Sequence, residues 1–325
     1  MGSATFALPS LNALFEAGHA ITAVVTQPDK PSGRGRAVQG PPVKKRAFEL
    51  HLPIYQPVSL KSDETRELFG ALAPDLIVVV AYGKILPSWL LHFPKYGCIN
   101  LHGSILPKYR GAAPVHWATA NGEEKTGVCT MLLNEGLDTG PVYLCEETAI
   151  GSDETVTALY DRLAVMGGPL VTTTVEGIVN ATLQARPQDD TQASFAPILK
   201  KSDGYLNWAR PALEIHNHVR AFNPWPGTVT KFRGQTCKVL RSTLKTGGPR
   251  SASAAARSLE DRPPLEAETG AIVISKGHLS VMCGDGNVIE ILTIQPESRK
   301  AISGIDFANG LRIQPGEKFE PVVDN

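Results

Sequence analysis

Residues 73–87 read APDLIVVVAYGKILP, and the apolar run from Leu76 to Ala81 inside them decides the fold. A strand with one wet face alternates apolar and polar residues, and this run does not. A near-continuous apolar strand is one covered on both faces, the condition of a parallel sheet buried between helices.

The same grammar holds outward from this run. ALPSLNALFEAGHAITAVVTQPDKP (7–31) predicts a helix closed by Gly18 and then a strand over Ala20 to Thr26. DKPSGRGRAVQGPPVKKRAFEL (29–50) is a Gly-, Pro- and cation-rich loop leading into a helix. YGCINLHG (96–103) is a short strand, TGVCTMLLN (126–134) another, and ETVTALYDRLAVMGGPLVTTTVEGIV (154–179) a long helix with a break expected near Gly167 and Gly168. Strands alternating with helices to about residue 182 predict a doubly wound, mostly parallel, Rossmann-like α/β domain. After about residue 203 the chain turns to short β-rich runs, entered by a helix over Pro211 to Ala221, with CGDGN (283–287) as a hairpin tip. The expected organisation is a first domain over 1–182, a linker over 183–204 and a smaller all-β barrel or sandwich over 205–325. KTGGPRSASAAARSLEDRPPLEAE (245–268) is a low-complexity insertion within the last of these.

The 325 residues are 42% hydrophobic and 20% charged, with zero formal net charge. Such a balance permits a substantial core and argues against indiscriminate polyanion binding, though it can hide local patches. Cys98, Cys129, Cys145, Cys237 and Cys283 form no C-x-x-C pair and read as buried thiols in a reducing compartment. No run is long and apolar enough to suggest a membrane span, and no signal-peptide pattern opens the chain, so a cytoplasmic location is expected.

Glycines 33, 35 and 40 fit neither a dinucleotide fingerprint nor a Walker loop, the histidines lack zinc spacing, and no serine sits in G-x-S-x-G. What remains is Asn100-x-His102, whose side chains leave one face of a strand together. Beside it stands Asp138 in the turn NEGLDTGPV (134–142). An imidazole held by a carboxylate carries protons near neutral pH, and an amide can donate to an oxygen gaining charge. That set suits attack on a carbonyl by a nucleophile that belongs to a substrate. On spacing alone, a strand-end histidine and a Gly-Leu-Asp-Thr-Gly aspartate are more often structural.

The segment NLHGSILPKYRGAAPVHWATANGEEKTGVCTMLLNEGLDTG (100–140) resembles the catalytic core of the formyltransferases that use 10-formyltetrahydrofolate, with Ile105 in place of a leucine. The resemblance implies that Asn100, His102 and Asp138 are the catalytic triad. It also implies that Ser104, Ile105, Leu106 and Pro107 form part of the folate pocket, helped by Val78 to Gly83, and that no metal is required. The loop TQPDKPSGRG (26–35) resembles that of family members acting on methionyl initiator tRNA. Between Pro28 and Arg46 stand six Lys/Arg and one acid, Asp29, a charge suited to phosphate contacts. Lys30, Arg34, Arg36, Lys44 and Lys45 are therefore expected tRNA contacts, with Arg34 foremost.

AFNPWPGT (221–228) and DFANGLRIQPGEKF (306–319) resemble the family's C-terminal domain, which implies an OB-like fold that helps hold tRNA, in a monomer. Read without the resemblance, Trp225 between two prolines is a packing residue. The family begins with an apolar strand ahead of the turn that GSATFA (2–7) resembles, so that first strand is expected to be missing or truncated here. Rival readings are an amino-sugar nucleotide as acceptor, a formate-releasing hydrolase, and a tRNA-binding module with an inactive catalytic domain.

Overall fold

The computed structural model describes residues 1–32, 37–244 and 268–322. Arg34, Arg36 and nearly all of the 245–268 insertion lie outside them. The chain divides into two compact units. The first holds residues 1–115, 125–149 and 158–197, and the second holds 116–124, 150–157 and 198–325.

The elements of the first half run α1 (Leu8–Glu16), β1 (Val24–Val25), β2 (Lys30–Ser32), β3 (Ala37–Gln39), α2 (Pro42–Glu49), β4 (Ile54–Tyr55), α3 (Asp63–Leu72) and β5 (Ile77–Val79). They continue through α4 (Ser88–Leu91), β6 (Cys98–His102), α5 (Pro114–Ala120), β7 (Lys125–Leu132), β8 (Val142–Ala149) and α6 (Val156–Val179). The strand order β5-β6-β7-β8 starts with a parallel pair and ends with two antiparallel ones. β1 pairs in parallel with β4. Between β1 and β5 lie the first residues of the chain: Gly2 bridges Val80 in parallel and donates to Val25 O at 3.0 Å, while the Met1 nitrogen donates to Val78 O at 2.6 Å. A cavity of about 340 Å³ runs on from this point, lined by Met1, Val24, Leu76, Val78 and Val175 among others.

Why β6 is a strand follows from its burial. Ile99 and Leu101 are fully or nearly fully buried and alternate with Asn100 and His102, while Cys98, also fully buried, starts the strand. Each such apolar side chain contributes roughly 1.5–3 kcal/mol relative to an exposed position. α6 is continuous over Val156–Val179, correcting the break expected at Gly167–Gly168. Those glycines make room instead. A Cβ on Gly167 would lie 2.2 Å from Leu101 Cδ2, so its absence lets the helix pack against β6.

The second unit contains α7 (Ala212–Phe222), β9 (Val229–Phe232), β10 (Gln235–Leu244), β11 (Ile272–Ser275), β12 (His278–Met282), β13 (Val288–Pro296), β14 (Ile302–Ser303) and α8 (Gly304–Gly310). Its antiparallel sheet has the order β11-β12-β13-β10-β9, with β14 on β13, and closes over Trp208, Phe232, Phe307 and Phe319. The Cys283–Asn287 turn joins β12 to β13, as its sequence predicts. Trp225 departs from its reading as a packing residue, for it is 54% exposed.

The cysteines depart from expectation in part. Cys129 on β7 and Cys145 on β8 are register partners and form a disulfide, while Cys98, Cys237 and Cys283 are buried thiols. Among the described residues no helix is long and apolar enough to cross a membrane, and no group of three or more His, Cys, Asp or Glu is arranged to hold a metal ion.

Candidate active site

Asn100 and His102 stand two positions apart on β6 and so share a face of the sheet. His102 is 5% exposed. Its Nε2 lies 2.9 Å from the carbonyl oxygen of Tyr109, which can only accept, so Nε2 carries a proton. That leaves Nδ1 as the atom able to gain or lose one, and Asp138 Oδ2 is 3.7 Å from it. Asn100 is half-buried, and among the described residues its side-chain amide makes no hydrogen bond.

β7 runs antiparallel to β6 and ends at Leu132, opposite Ile99 at the start of β6, so the strand end itself does not carry Asp138 to His102. The turn that follows folds back along the strand to reach His102. Asp138 adopts a left-handed conformation there, with φ +51°, which short polar side chains tolerate better than most. Its Oδ2 also accepts the Gly111 N–H at 2.8 Å. Gly111 itself has φ +122°, and a Cβ on it would lie 2.6 Å from Ala196 O.

Between these two elements runs the loop of residues 103–113. Ser104 is fully buried, and its hydroxyl donates to Lys108 O at 2.6 Å, which closes the turn. Ile105 and Leu106 pack with Cys129 and Met131 of β7, and the Leu106–Pro107 peptide is cis. Of the four expected folate-loop residues, Ser104 and Leu106 are buried, while Ile105 and Pro107 are half-buried.

Residues 186–196 strap this loop from outside, and sequence reasoning assigns them only to a linker. Ser194 Oγ accepts the Tyr109 N–H at 2.9 Å, Arg110 N donates to Ser194 O at 2.8 Å and Ala196 N to Arg110 O at 2.7 Å, and Gln188 reaches the Asp138 turn. These contacts join residues 50 or more positions apart, and no local pattern announces them.

Of the expected basic contacts, Lys30 donates to Gln27 Oε1 at 2.7 Å and Lys44 pairs with Asp29 at 2.6 Å. The hydrogen bonds from Lys44 and then Gln56 hold the Asp29 carboxyl below its usual range. Lys45 lies exposed on α2. β2 and β3 pair antiparallel, Lys30 opposite Gln39, and Arg34 and Arg36 lie outside the described residues.

Residues 1–175 match the family described as formyl transferase, and residues 198–312 match the formyl transferase C-terminal domain. The chain is 45% identical over 315 residues to a methionyl-tRNA formyltransferase of Acidobacterium capsulatum, covering 97% of this chain and 96% of that one. It is 40% identical over 322 residues to the corresponding protein of Geobacter sulfurreducens, covering 98% and 95%. Among solved structures, its fold is similar to an N-formyltransferase from Helicobacter canadensis in complex with folinic acid and dTDP-3-aminofucose. That likeness has a TM-score of 0.63 at 19% identity and covers 91% of this chain and 97% of that one.

Proposed function

The chain belongs to the formyl transferase family, and on that premise we propose that it transfers a formyl group from 10-formyltetrahydrofolate to the α-amino group of methionyl initiator tRNA. This reading is supported by His102 facing Asp138 across 3.7 Å, with Asn100 two positions away on the same strand, in a chain that aligns along almost its whole length with methionyl-tRNA formyltransferases.

The folate supplies a formyl group already bonded to nitrogen, so the protein's work is alignment and charge control. In this reading Ile105, Leu106 and Pro107 seat the flat ring, and the free amide of Asn100 donates to the formyl oxygen as it gains charge. His102, with Nε2 fixed on Tyr109 O, works through Nδ1. It takes the proton released by the attacking amine, and Asp138 balances the charge that results. The proton returns to the departing folate nitrogen, so no covalent bond to the protein forms.

The basic segment around the β2–β3 pair, with Lys30, Arg34, Arg36, Lys44 and Lys45, contacts tRNA phosphates in this reading. The first unit is then the catalytic domain and the second an aid to holding tRNA, in a cytoplasmic monomer. The test is transfer of labelled formyl to charged initiator tRNA beside amino-sugar nucleotides as acceptors. Label on the tRNA supports the proposal, and label on the sugar alone overturns the choice of acceptor.

A further inference from the structure

The turn that carries Asp138 is held on one side by Asn134, whose Oδ1 accepts from Gly136 N at 3.1 Å and Thr139 Oγ1 at 2.9 Å. Its other side is held by a distant side chain, that of Gln188. Gln188 Nε2 donates to the Asp138 carbonyl at 2.8 Å and to the Gly140 carbonyl at 2.7 Å. Gln188 Oε1 accepts from Arg110 Nε at 3.1 Å and from Arg110 Nη2 at 2.8 Å.

Every hydrogen-bonding site of a primary amide is thereby used: two N–H donors on two carbonyls, two lone pairs on one guanidinium. The amide's orientation is also fixed by chemistry. A flipped amide would set its oxygen against two carbonyls and its NH₂ against a cation. Arg110 is 4% exposed and also donates to Asp190 Oδ1 at 2.7 Å. The Asp190 side chain is 79% exposed, so water screens that ion pair and the better-shielded anchor of Arg110 is the half-buried Gln188.

The turn needs this support because of its backbone. Asp138 sits at φ +51°, a region that costs a non-glycine residue on the order of 1 kcal/mol. Its carboxylate must meet Gly111 N and face His102 Nδ1 at once. A turn free to relax would move that oxygen away from both.

We propose that Gln188 is the positioning residue of the site, gripping the main chain of the Asp138 turn while Arg110 holds the amide in the donating orientation. This rests on the formyl-transfer reading above. Gln188 touches the backbone of Asp138 and Gly140 rather than the reacting atoms, so its effect passes through Asp138.

Two variants separate positioning from plain structural support. Gln188→Met keeps the length and removes every hydrogen bond. Gln188→Glu keeps a partner for Arg110 and removes the donors to Asp138 and Gly140. Both should lower kcat for formyl transfer by on the order of 10- to 100-fold, the penalty of a misplaced catalytic group. The KM values for folate and Met-tRNA should stay within about twofold, as expected when only transition-state interactions are lost. In an Asp138→Asn background, Gln188→Glu should cost less than about threefold further, since residues that act as a unit are not additive.

Wild-type kcat in Gln188→Glu overturns the proposal, and so does a full second loss in the Asp138→Asn background. A loss confined to thermal stability and shared by both variants also overturns it. If Gln188→Met does not fold, Gln188→Glu alone decides. Failure of the wild-type chain to transfer formyl at all would instead refute the activity on which the proposal stands.

Discussion

Oδ2 of Asp138 faces Nδ1 of His102 across 3.7 Å while the same oxygen accepts the Gly111 N–H at 2.8 Å. One carboxylate oxygen thus ties the strand that carries the imidazole to the loop that lies above it. Asp138→Asn keeps the size of the side chain and an acceptor for Gly111 but removes the charge. Turnover should fall by at least about 100-fold with the fold intact, as when a positioned acid–base system is broken. Circular dichroism together with single-turnover kinetics checks this, and turnover within about threefold of wild type contradicts it.

The basic segment should act on tRNA and leave folate alone. Lys45→Ala and Arg34→Ala are each expected to raise the KM for Met-tRNA and to reduce the salt slope of tRNA binding by about one. The KM for folate should not move. An unchanged salt slope in both variants would remove the segment from tRNA recognition.

Acid should weaken the second unit through His218. Burial, with the Arg210 charge second, pushes its imidazole from 6.5 down to about 4. The folded chain therefore keeps His218 neutral where the unfolded chain takes up a proton. Stability is complete above pH 6.5 and is lost as pH falls towards 4, by about 3 kcal/mol at the acid end. Burial shifts His216 in the same direction. Denaturant melts from pH 4 to 7 should show this slope, and His218→Gln should flatten it. An equally steep slope in that variant contradicts the assignment.

The cross-strand pair gives a direct chemical count. Unfolded without reductant, the protein should titrate as three thiols, Cys98, Cys237 and Cys283. Reduction of Cys129–Cys145, which are 16 positions apart, should cost about 2–3 kcal/mol of stability in the loop-entropy account. Five thiols in the unreduced chain would contradict the pairing.

What the sequence makes legible here are features with a local cause. Leu76–Ala81 announces a strand, found as Ile77–Val79 with Ile77 and Val79 buried and Val78 half-buried, and Asn100-x-His102 announces two side chains on one face. Asp138 is legible through its resemblance to a family motif. The direction of β7 is not, because a strand with six consecutive buried residues reads alike in parallel or antiparallel pairing. Nor is the Cys129–Cys145 pair, which exists only because the β7–β8 register sets the two residues opposite each other. Gln188 and Ser194 stay hidden because their partners lie 50 and 85 positions away. Gly167–Gly168 misleads for the opposite reason, since a local helix-breaking signal yields to close packing against Leu101.

The proposed formyl transfer needs His102 as its proton carrier. The most direct measurement is movement of labelled formyl from 10-formyltetrahydrofolate to methionyl initiator tRNA by the wild-type chain and by His102→Ala, both first shown to be folded. The expected result is ready transfer by the wild type and a loss of at least about 100-fold in the variant. Comparable transfer by the two proteins would contradict it.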